Sequence, residues 1–496
     1  MGDRFGGRPV KAQSAAALLI GVLAAIPASA QDDLRAQAGL YAPSAWDLRL
    51  GAHAYELPTE DYIDYACGTN GGPPSLPLSG WRDYAKCSPD AETGFHEIYF
   101  QYDDENEYWA KAHALPQKIA IFQYTSAYEI PVIVSGLFDG RGFLVGIRMV
   151  SDPRVSVEIR ERGAILGNFL RSRYGEGWNC EDLPRLDGEA EFQGSYVNTR
   201  CRKSVDDPDA TVEIVTHNFR KPGQVLIDPV TRRPTTGQFE SSTRFELVLR
   251  NAAVGQPREA PTEFPGPTDR DLLAAWAMDC PGCDLRGVNL KRADLRGANL
   301  AGADLSGANL HAAILAGANL ANANLEGANL NRADLKRANL EGANIQEAMM
   351  YEARCDGANL IGADLTLTNA GRVQFIGANL TGARMVAMDL RAARMNDAVF
   401  LDADLSGSLM DDAQLSRSKM AGVIILEATM PRVQLIDADL TGADLRASNF
   451  INANLRGANL TSANLSLANL YLANLSDVTK DGAIWNDAVL PGGFAP

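Results

Sequence analysis

Apolar residues return at every fifth position from Leu285 to Leu475 without a change of phase, thirty-nine times in succession. Two places before each stands a small residue, usually alanine, as at Ala293, Ala298, Ala303, Ala308 and Ala313. A period of five fits neither an α-helix, which repeats at about 3.6 residues, nor a flat strand, which repeats at about 2. The small–x–large pair is a two-residue alternation, so both can face one core while the other three residues face water. The glycine-rich position after the large residue (Gly297, Gly302, Gly307, Gly327) suits a turn before the next pentad. One side chain returned to the interior every five residues, over nearly two hundred residues, makes a solenoid.

The strings ADLRG, ANLAG, ADLSG and ANLHA resemble those of the pentapeptide-repeat family, over residues 284–475 and weakly on to Leu490. The resemblance implies a right-handed quadrilateral β-helix with four pentads to a coil. Residues twenty apart then stack: Leu285, Leu305, Leu325, Ile345 and Leu365 along one inner edge, and Asn299, Asn319, Asn339, Asn359 and Asn379 along one outer ladder. At a coil spacing of ~4.8 Å, nearly ten coils make a rod roughly 45–50 Å long. Open ends expose core and strand edges, so caps are required. Residues 268–283 are assigned as the N-terminal cap, with a short amphipathic helix over 267–278 and Thr268 or Asp269 as its N-cap. Residues 476–496 form the C-terminal cap, where Trp485, Leu490 and Phe494 can close the last coil. Such ends also pair chains in relatives, so a homodimer through this cap stands beside a monomeric one. The coils of 366–436 are irregular, with Ala370 at a large position, Met388 at a small one, and Met385, Met395, Met410, Met420 and Met430 in the core pattern. Either they form a surface for a partner or a tolerant core has drifted, since methionine adapts to irregular gaps.

Residues 1–30 read as a secretory signal peptide: Arg4, Arg8 and Lys11, an apolar run over 15–26, then Ala28-Ser29-Ala30 before Gln31. The apolar run is shorter than the ~20 residues that span a bilayer. The expected location is periplasmic or secreted, with cleavage after Ala30 and no transmembrane segment in the mature chain. Seven cysteines fit an oxidising compartment. Nearest-neighbour pairing gives Cys67–Cys87, Cys180–Cys201 and Cys280–Cys283, although spacing alone does not fix connectivity. Cys355 falls on a large position and reads as a buried free thiol. The Cys280-Pro-Gly-Cys283 motif lacks the partners of a zinc site and the strand–helix context of a redox site, so the start of the first coil is its reading.

The solenoid is preceded by a non-repetitive stretch, 46–252, and a proline-rich linker, 253–267. Two β-rich runs around Asp139-Gly-Arg-Gly142 predict a hairpin. Residues 157–173 have helical spacing, with Ile159, Ile165, Phe169 and Leu170 as the apolar side. Runs at 192–201, 211–217 and 243–249 read as strands. The fold class is therefore two-part: an N-terminal α+β domain with an antiparallel sheet, followed by the right-handed quadrilateral β-helix. The loop from Cys67 to Pro74 is glycine-rich but has neither phosphate-loop nor dinucleotide spacing.

Candidate chemistry is sparse. None of the five histidines lies in a metal-ligand pair, and no nucleophile elbow is present. Tyr102, Asp103, Asp104, Glu105, Glu107 and Trp109 form the most unusual run, four carboxylates between aromatics. A cationic ligand or a divalent ion could bind there; a solvated acidic helix start is the alternative. No catalytic residue, metal site or cofactor is assigned. Residues 284–475 hold twenty Asp plus Glu against seventeen Lys plus Arg, and the first coils carry Arg286, Lys291, Arg292 and Arg296. Members of the family that confer quinolone resistance mimic DNA with an acidic rod, which this mixed surface does not match. Most of the formal charge of −16 lies before the repeats, which disfavours nucleic-acid binding. The expectation is an exported, non-catalytic scaffold for a protein or cell-envelope partner. The alternatives are a ligand-binding or enzymatic N-terminal domain with the rod as spacer and, as a minor one, a gyrase-modulating DNA mimic.

Overall fold

A computed structural model describes residues 44–115, 125–191, 196–220, 226–227, 234–235, 239–250 and 274–496. The signal segment, the linker and the start of the helix expected over 267–278 lie outside the described residues; residues 274–277 are helical. The chain divides into two compact units, Met1–Asp103 with Tyr124–Phe264 and Asp104–Gln123 with Pro265–Pro496. Part of the stretch expected in the N-terminal domain, from Asp104 onward, thus packs with the repeats.

The first unit is mostly strand. Its strands are β1 (Tyr62–Cys67), β2 (His96–Tyr102), β3 (Ser126–Ala127), β4 (Ile130–Phe138), β5 (Leu144–Ser151), β6 (Asn179–Asp182), β7 (Val197–Asp206) and β8 (Asp209–Phe219). They are completed by β9 (Leu226–Ile227), β10 (Pro234–Thr235) and β11 (Glu240–Leu249). The main sheet runs β1-β2-β4-β5-β11-β8-β7-β6, with β3 beside β4, and every pairing is antiparallel. The hairpin around Asp139-Gly-Arg-Gly142 is β4–β5, buried along nearly its whole length.

The helix expected over 157–173 is broken in two, α2 (Val157–Arg160) and α3 (Gly163–Arg173). The expected apolar side is only partly the buried one: Ile165 and Phe169 are each 44% exposed, whereas Leu166 and Leu170 are fully buried. Gly163 and Gly167, one turn apart, decide the matter. A Cβ on Gly163 would come within 2.3 Å of the Ser241 carbonyl oxygen, and one on Gly167 within 2.4 Å of Thr216 Oγ1. The helix backbone therefore lies against β11 and β8 on its glycine side, and Leu166 and Leu170 fill the space beside it. Disulfides join Cys67 to Cys87 and Cys180 to Cys201. The glycine-rich loop after Cys67 is pinned: Glu97 accepts from Asn70 N at 2.7 Å and from Arg148 at 2.7 Å, and Arg244 donates to the Asn70 carbonyl at 2.8 Å.

In the second unit, parallel bridges link residues twenty apart from Asp279↔Asn299 to Asn469↔Val489. At twenty residues to a coil, residues 279–489 make just over ten coils, starting and ending outside the expected 284–475. Each coil hands its backbone hydrogen bonds to the next: Leu300 N donates to Asn319 O at 2.7 Å, and Asn319 N to Ala298 O at 2.8 Å. Large and small pentad residues fill the interior almost without exposure, and Phe375, Phe400 and Phe450 fit at large positions. Met385, Met388, Met395, Met410, Met420 and Met430 are all buried, and the bridges continue unbroken through their coils. Polar residues at small positions are satisfied internally, with Thr368, Ser408 and Ser448 each donating to the carbonyl twenty-three residues earlier. The asparagine ladder is present: Asn299 donates to Asp279, and Asn319, Asn339 and Asn359 each to the one before, at 2.9–3.2 Å. Cys280 is joined to Cys283, and Cys355 is a buried free thiol whose pKa burial drives far above the usual range.

Corners close through a hydrogen bond such as Ala298 N to Leu295 O, 3.1 Å, with the third residue of the turn, here Gly297, at positive φ (66°). Many corners hold other residues in that conformation, among them Arg332, Arg417 and Leu467, but none is valine, isoleucine or threonine. A left-handed backbone costs a non-glycine residue ~1–2 kcal/mol, and a β-branched residue more. Leu467 sits at φ 63° and is 62% exposed, so its side chain gains little from burial. Leu467→Val should therefore lower stability by about 1 kcal/mol, while Leu467→Gly should match or exceed the parent. Urea midpoints in the order Gly ≥ Leu > Val check this; Val at parity would contradict it.

Candidate functional site

The acidic run singled out in the sequence is divided between the units. Tyr102 ends β2, and its hydroxyl accepts from Ala45 N at 3.0 Å; desolvation pushes its pKa up to about 12. Asp103 also belongs to the first unit, where its amide donates to Asp61 O at 2.9 Å. Asp104–Gln123 belongs with the solenoid. Helix α1 (Glu105–Ala112) follows, with Asp104 as its N-cap residue and Glu105 and Glu107 in its first turn, where carboxylates complement the helix dipole.

The solenoid face that receives α1 is built from equivalent positions of successive coils. Lys291, His311, Asn331, Tyr351 and Gly371 each follow an inward residue and stand twenty apart. Arg292, Arg332 and Arg372 lie one place further on, and Asn309, Asn329 and Asn369 two places before the first set. Coil stacking alone turns residues scattered over eighty positions into one polar, cationic strip.

Asp104 makes no side-chain cap to its own helix. Its carboxylate instead accepts from His311 Nε2 at 3.1 Å and pairs with Arg292 and Arg332. Glu105 accepts from Asn309 at 2.8 Å and Asn329 at 3.3 Å and pairs with Lys291 at 3.3 Å. One turn on, the Tyr108 ring lies under the Arg332 guanidinium, 4.7 Å from its centroid, and against the rings of His311 and Tyr351. At the far end the Ala112 carbonyl accepts from Asn369 at 2.6 Å. Gly371 leaves room for Tyr351, since a Cβ there would approach the ring within 3.1 Å. Glu107 turns to Lys111 at 2.7 Å, and Trp109 packs on His113. Asp104, Glu105, Tyr108 and Ala112 thus form the inward side of α1, at helical spacing.

Desolvation opposes ionisation of Asp104, but the hydrogen bond from His311 and the charges of Arg292 and Arg332 outweigh it and hold its carboxyl well below the usual range. Burial pushes the Glu107 carboxyl the other way, against the pull of Lys111. His311 and Asn331 have no exposed surface, yet His311 Nδ1 and Asn331 Nδ2 have no hydrogen-bond partner among the described residues. A buried polar atom left in that state costs ~1–3 kcal/mol.

The partner residues of the acidic run were not singled out from the sequence. Their signal was present only in register: reading the chain with a step of twenty places Lys291, His311, Asn331 and Tyr351 in one column, although polar and charged residues also stand at this pentad position in other columns. Nothing among the described residues of the solenoid resembles a nucleophile with its base.

A comparison of family profiles with the chain finds pentapeptide repeats, eight copies, over residues 279–311, 313–350, 353–387 and 438–477. The methionine-rich coils of 388–437 fall between the matched stretches. Among solved structures the chain is similar to HetL, a pentapeptide repeat protein involved in heterocyst differentiation regulation from the cyanobacterium Nostoc, at 26% identity over 45% of this chain and 96% of that one, TM-score 0.23. It is similar to a pentapeptide repeat protein of the Arabidopsis thaliana thylakoid lumen at 30% identity over 25% of this chain and 76% of that one, TM-score 0.14. A third is QnrB1, a plasmid-mediated fluoroquinolone resistance protein, at 15% identity over 42% and 92%, TM-score 0.20. No curated protein matches the chain. The repeats define a solenoid of the right-handed β-helix class. The chain belongs to the pentapeptide-repeat family.

Because the folded-state pKa of Asp104 is depressed, its contribution is complete above the unfolded value of about 4 and is lost only as pH falls through the lower folded value. Amides of α1 should stay protected from hydrogen exchange between pH 7 and 4 and lose protection only in stronger acid. Asp104→Ala at pH 7 should reduce that protection about ten- to a hundredfold, as expected for losing ~1.5–3 kcal/mol of charge-assisted bonding. Unchanged protection in the variant would show that Asp104 does not hold the helix.

Proposed function

We propose that this protein is an exported, non-catalytic scaffold whose solenoid is a protein-interaction surface. The observation that carries this reading is the docking of α1: side chains drawn from three coils, Arg292, Arg332 and Asn369, meet a charge, a ring and a carbonyl of one helix. A regular array of columns suits that task, since neighbouring coils can vary their outward residues without disturbing the core. Pentapeptide-repeat proteins are generally non-enzymatic and often regulatory or interaction proteins, which supports the class. Export rests on the basic, apolar and small-residue segments of residues 1–30, and a cell-envelope partner follows from it.

DNA mimicry is disfavoured by the pairing of the solenoid's carboxylates. Asp397 and Asp412 pair with Arg417 and Arg432 of the next coil, and Asp284, Asp294, Asp389 and Asp444 with the arginine two residues on. A dense negative field is not available from such a surface. A second reading, ligand binding by the first unit with the rod as spacer, is favoured by one feature. A cavity of about 200 Å³ in that unit is lined by Ile130, Ser151, Phe219 and Ser241 and by the ion pair of Arg160 with Glu240 at 3.4 Å.

The two readings separate by site-specific photo-crosslinking of the oxidised full chain in native envelope extract. Probes at Ser406, Arg456 and Ser466 on the solenoid should give a discrete protein adduct, and probes at Arg202 and Thr211 on the sheet should not. Adducts from the sheet positions alone would sink the scaffold reading in favour of the second.

A further inference from the structure

Resting on that reading, we propose that the solenoid strip beneath α1 is a receptor site for an acidic helical segment of a partner protein, and that α1 occupies it in cis. Three features of the strip define what it takes. Arg292, His311 and Arg332 converge on one carboxylate, and Lys291, Asn309 and Asn329 on the next. His311, Arg332 and Tyr351 frame an aromatic ring one turn later. Asn369 meets the carbonyl at the helix end. The ligand is therefore a helix that begins with two adjacent carboxylates and carries an aromatic residue at the fourth position beyond the first.

The strip offers more than α1 uses. His311 Nδ1, Asn331 Nδ2 and Asn369 Oδ1 lie buried without partners among the described residues. The cationic surface also continues past the helix footprint. Arg332, which pairs with Asp104, also lines a cavity of about 350 Å³ with Glu352, Arg354, Arg372 and Gln374. Among the described residues, two of its guanidinium groups have one ion pair each, Arg354 with Asp334 at 3.6 Å and Arg372 with Glu352 at 3.7 Å. A longer acidic segment can engage both these groups and the strip. The occupant in cis is well suited to leave: an eight-residue helix is marginal alone, and its hold is mainly electrostatic rather than apolar.

The probe is a fluorescent peptide of residues 104–115, with a scrambled peptide of the same composition as control, titrated against full-length chains. The wild-type chain should bind it weakly, because only the fraction with α1 released is competent. Glu105→Ala with Tyr108→Ala, which loosens α1, should bind at least about tenfold more tightly, and adding Arg332→Glu should abolish the gain. Retained circular dichroism and melting temperature certify the solenoid in each variant. Equal affinity of wild type and the loosened variant, no binding by the loosened variant, indifference to Arg332→Glu, or equal binding of the scrambled peptide would each overturn the proposal. Photo-crosslinks elsewhere on the solenoid alongside a negative titration would leave the scaffold reading standing and this site refuted.

Discussion

Everything in the repeat region depends on the hydrogen bonds that pass from each coil to the next. The amide of an inward residue donates to the carbonyl nineteen residues ahead, and the amide of the residue before an inward one donates to the carbonyl twenty-one residues behind, on the opposite side of the coil. That exchange is possible only if the chain turns a corner every five residues, which forces a left-handed residue into each corner. Once this is met, side-chain placement follows without further choice. The leucine and alanine columns are sealed inside, and every outward residue is locked into line with residues twenty before and after it.

The core and the α1 site are held by different physics. The interior gains from removing leucine, methionine and phenylalanine from water, a non-directional term that tolerates the substitutions of the methionine-rich coils. The strip beneath α1 is directional: each carboxylate is met by donors from at least two coils. Its electrostatic gain is offset by desolvation, which is why Asp104 needs three partners to stay ionised. Such a balance yields selectivity for charge position more readily than it yields raw stability.

The solenoid was legible because its signal is repeated thirty-nine times and rests on residue size alone. The three cysteine pairings follow from neighbours in sequence, and the structure joins the same pairs. The first unit was harder. Its hairpin β4–β5 announced itself through a glycine turn between apolar runs, but β1 and β6 are short and β6 is exposed throughout, so neither has a clear alternation. The buried side of α3 was misplaced because two glycines, which carry no hydrophobic signal, set the approach to the sheet. The acidic run was visible as a cluster, yet a local pattern holds no information about a partner two hundred residues away. The step of twenty, applied to polar positions as well as apolar ones, gathers Arg292, His311 and Arg332 onto one face, but that this face meets Asp104 is visible only in the fold.

That same step restricts how the molecule can change length. Removing five residues between Lys291 and Gly371 would leave a well-formed core, since every pentad is much alike inside. It would nevertheless rotate all later columns by one face, carrying Tyr351 and Asn369 a quarter-turn away from Lys291 and His311. Removing twenty would preserve the faces and merely shorten the strip by one rung. Whole coils beyond residue 373 can therefore be lost or gained without touching the strip, but within 289–373 the helix site converts an otherwise elastic repeat array into a ruler of fixed length.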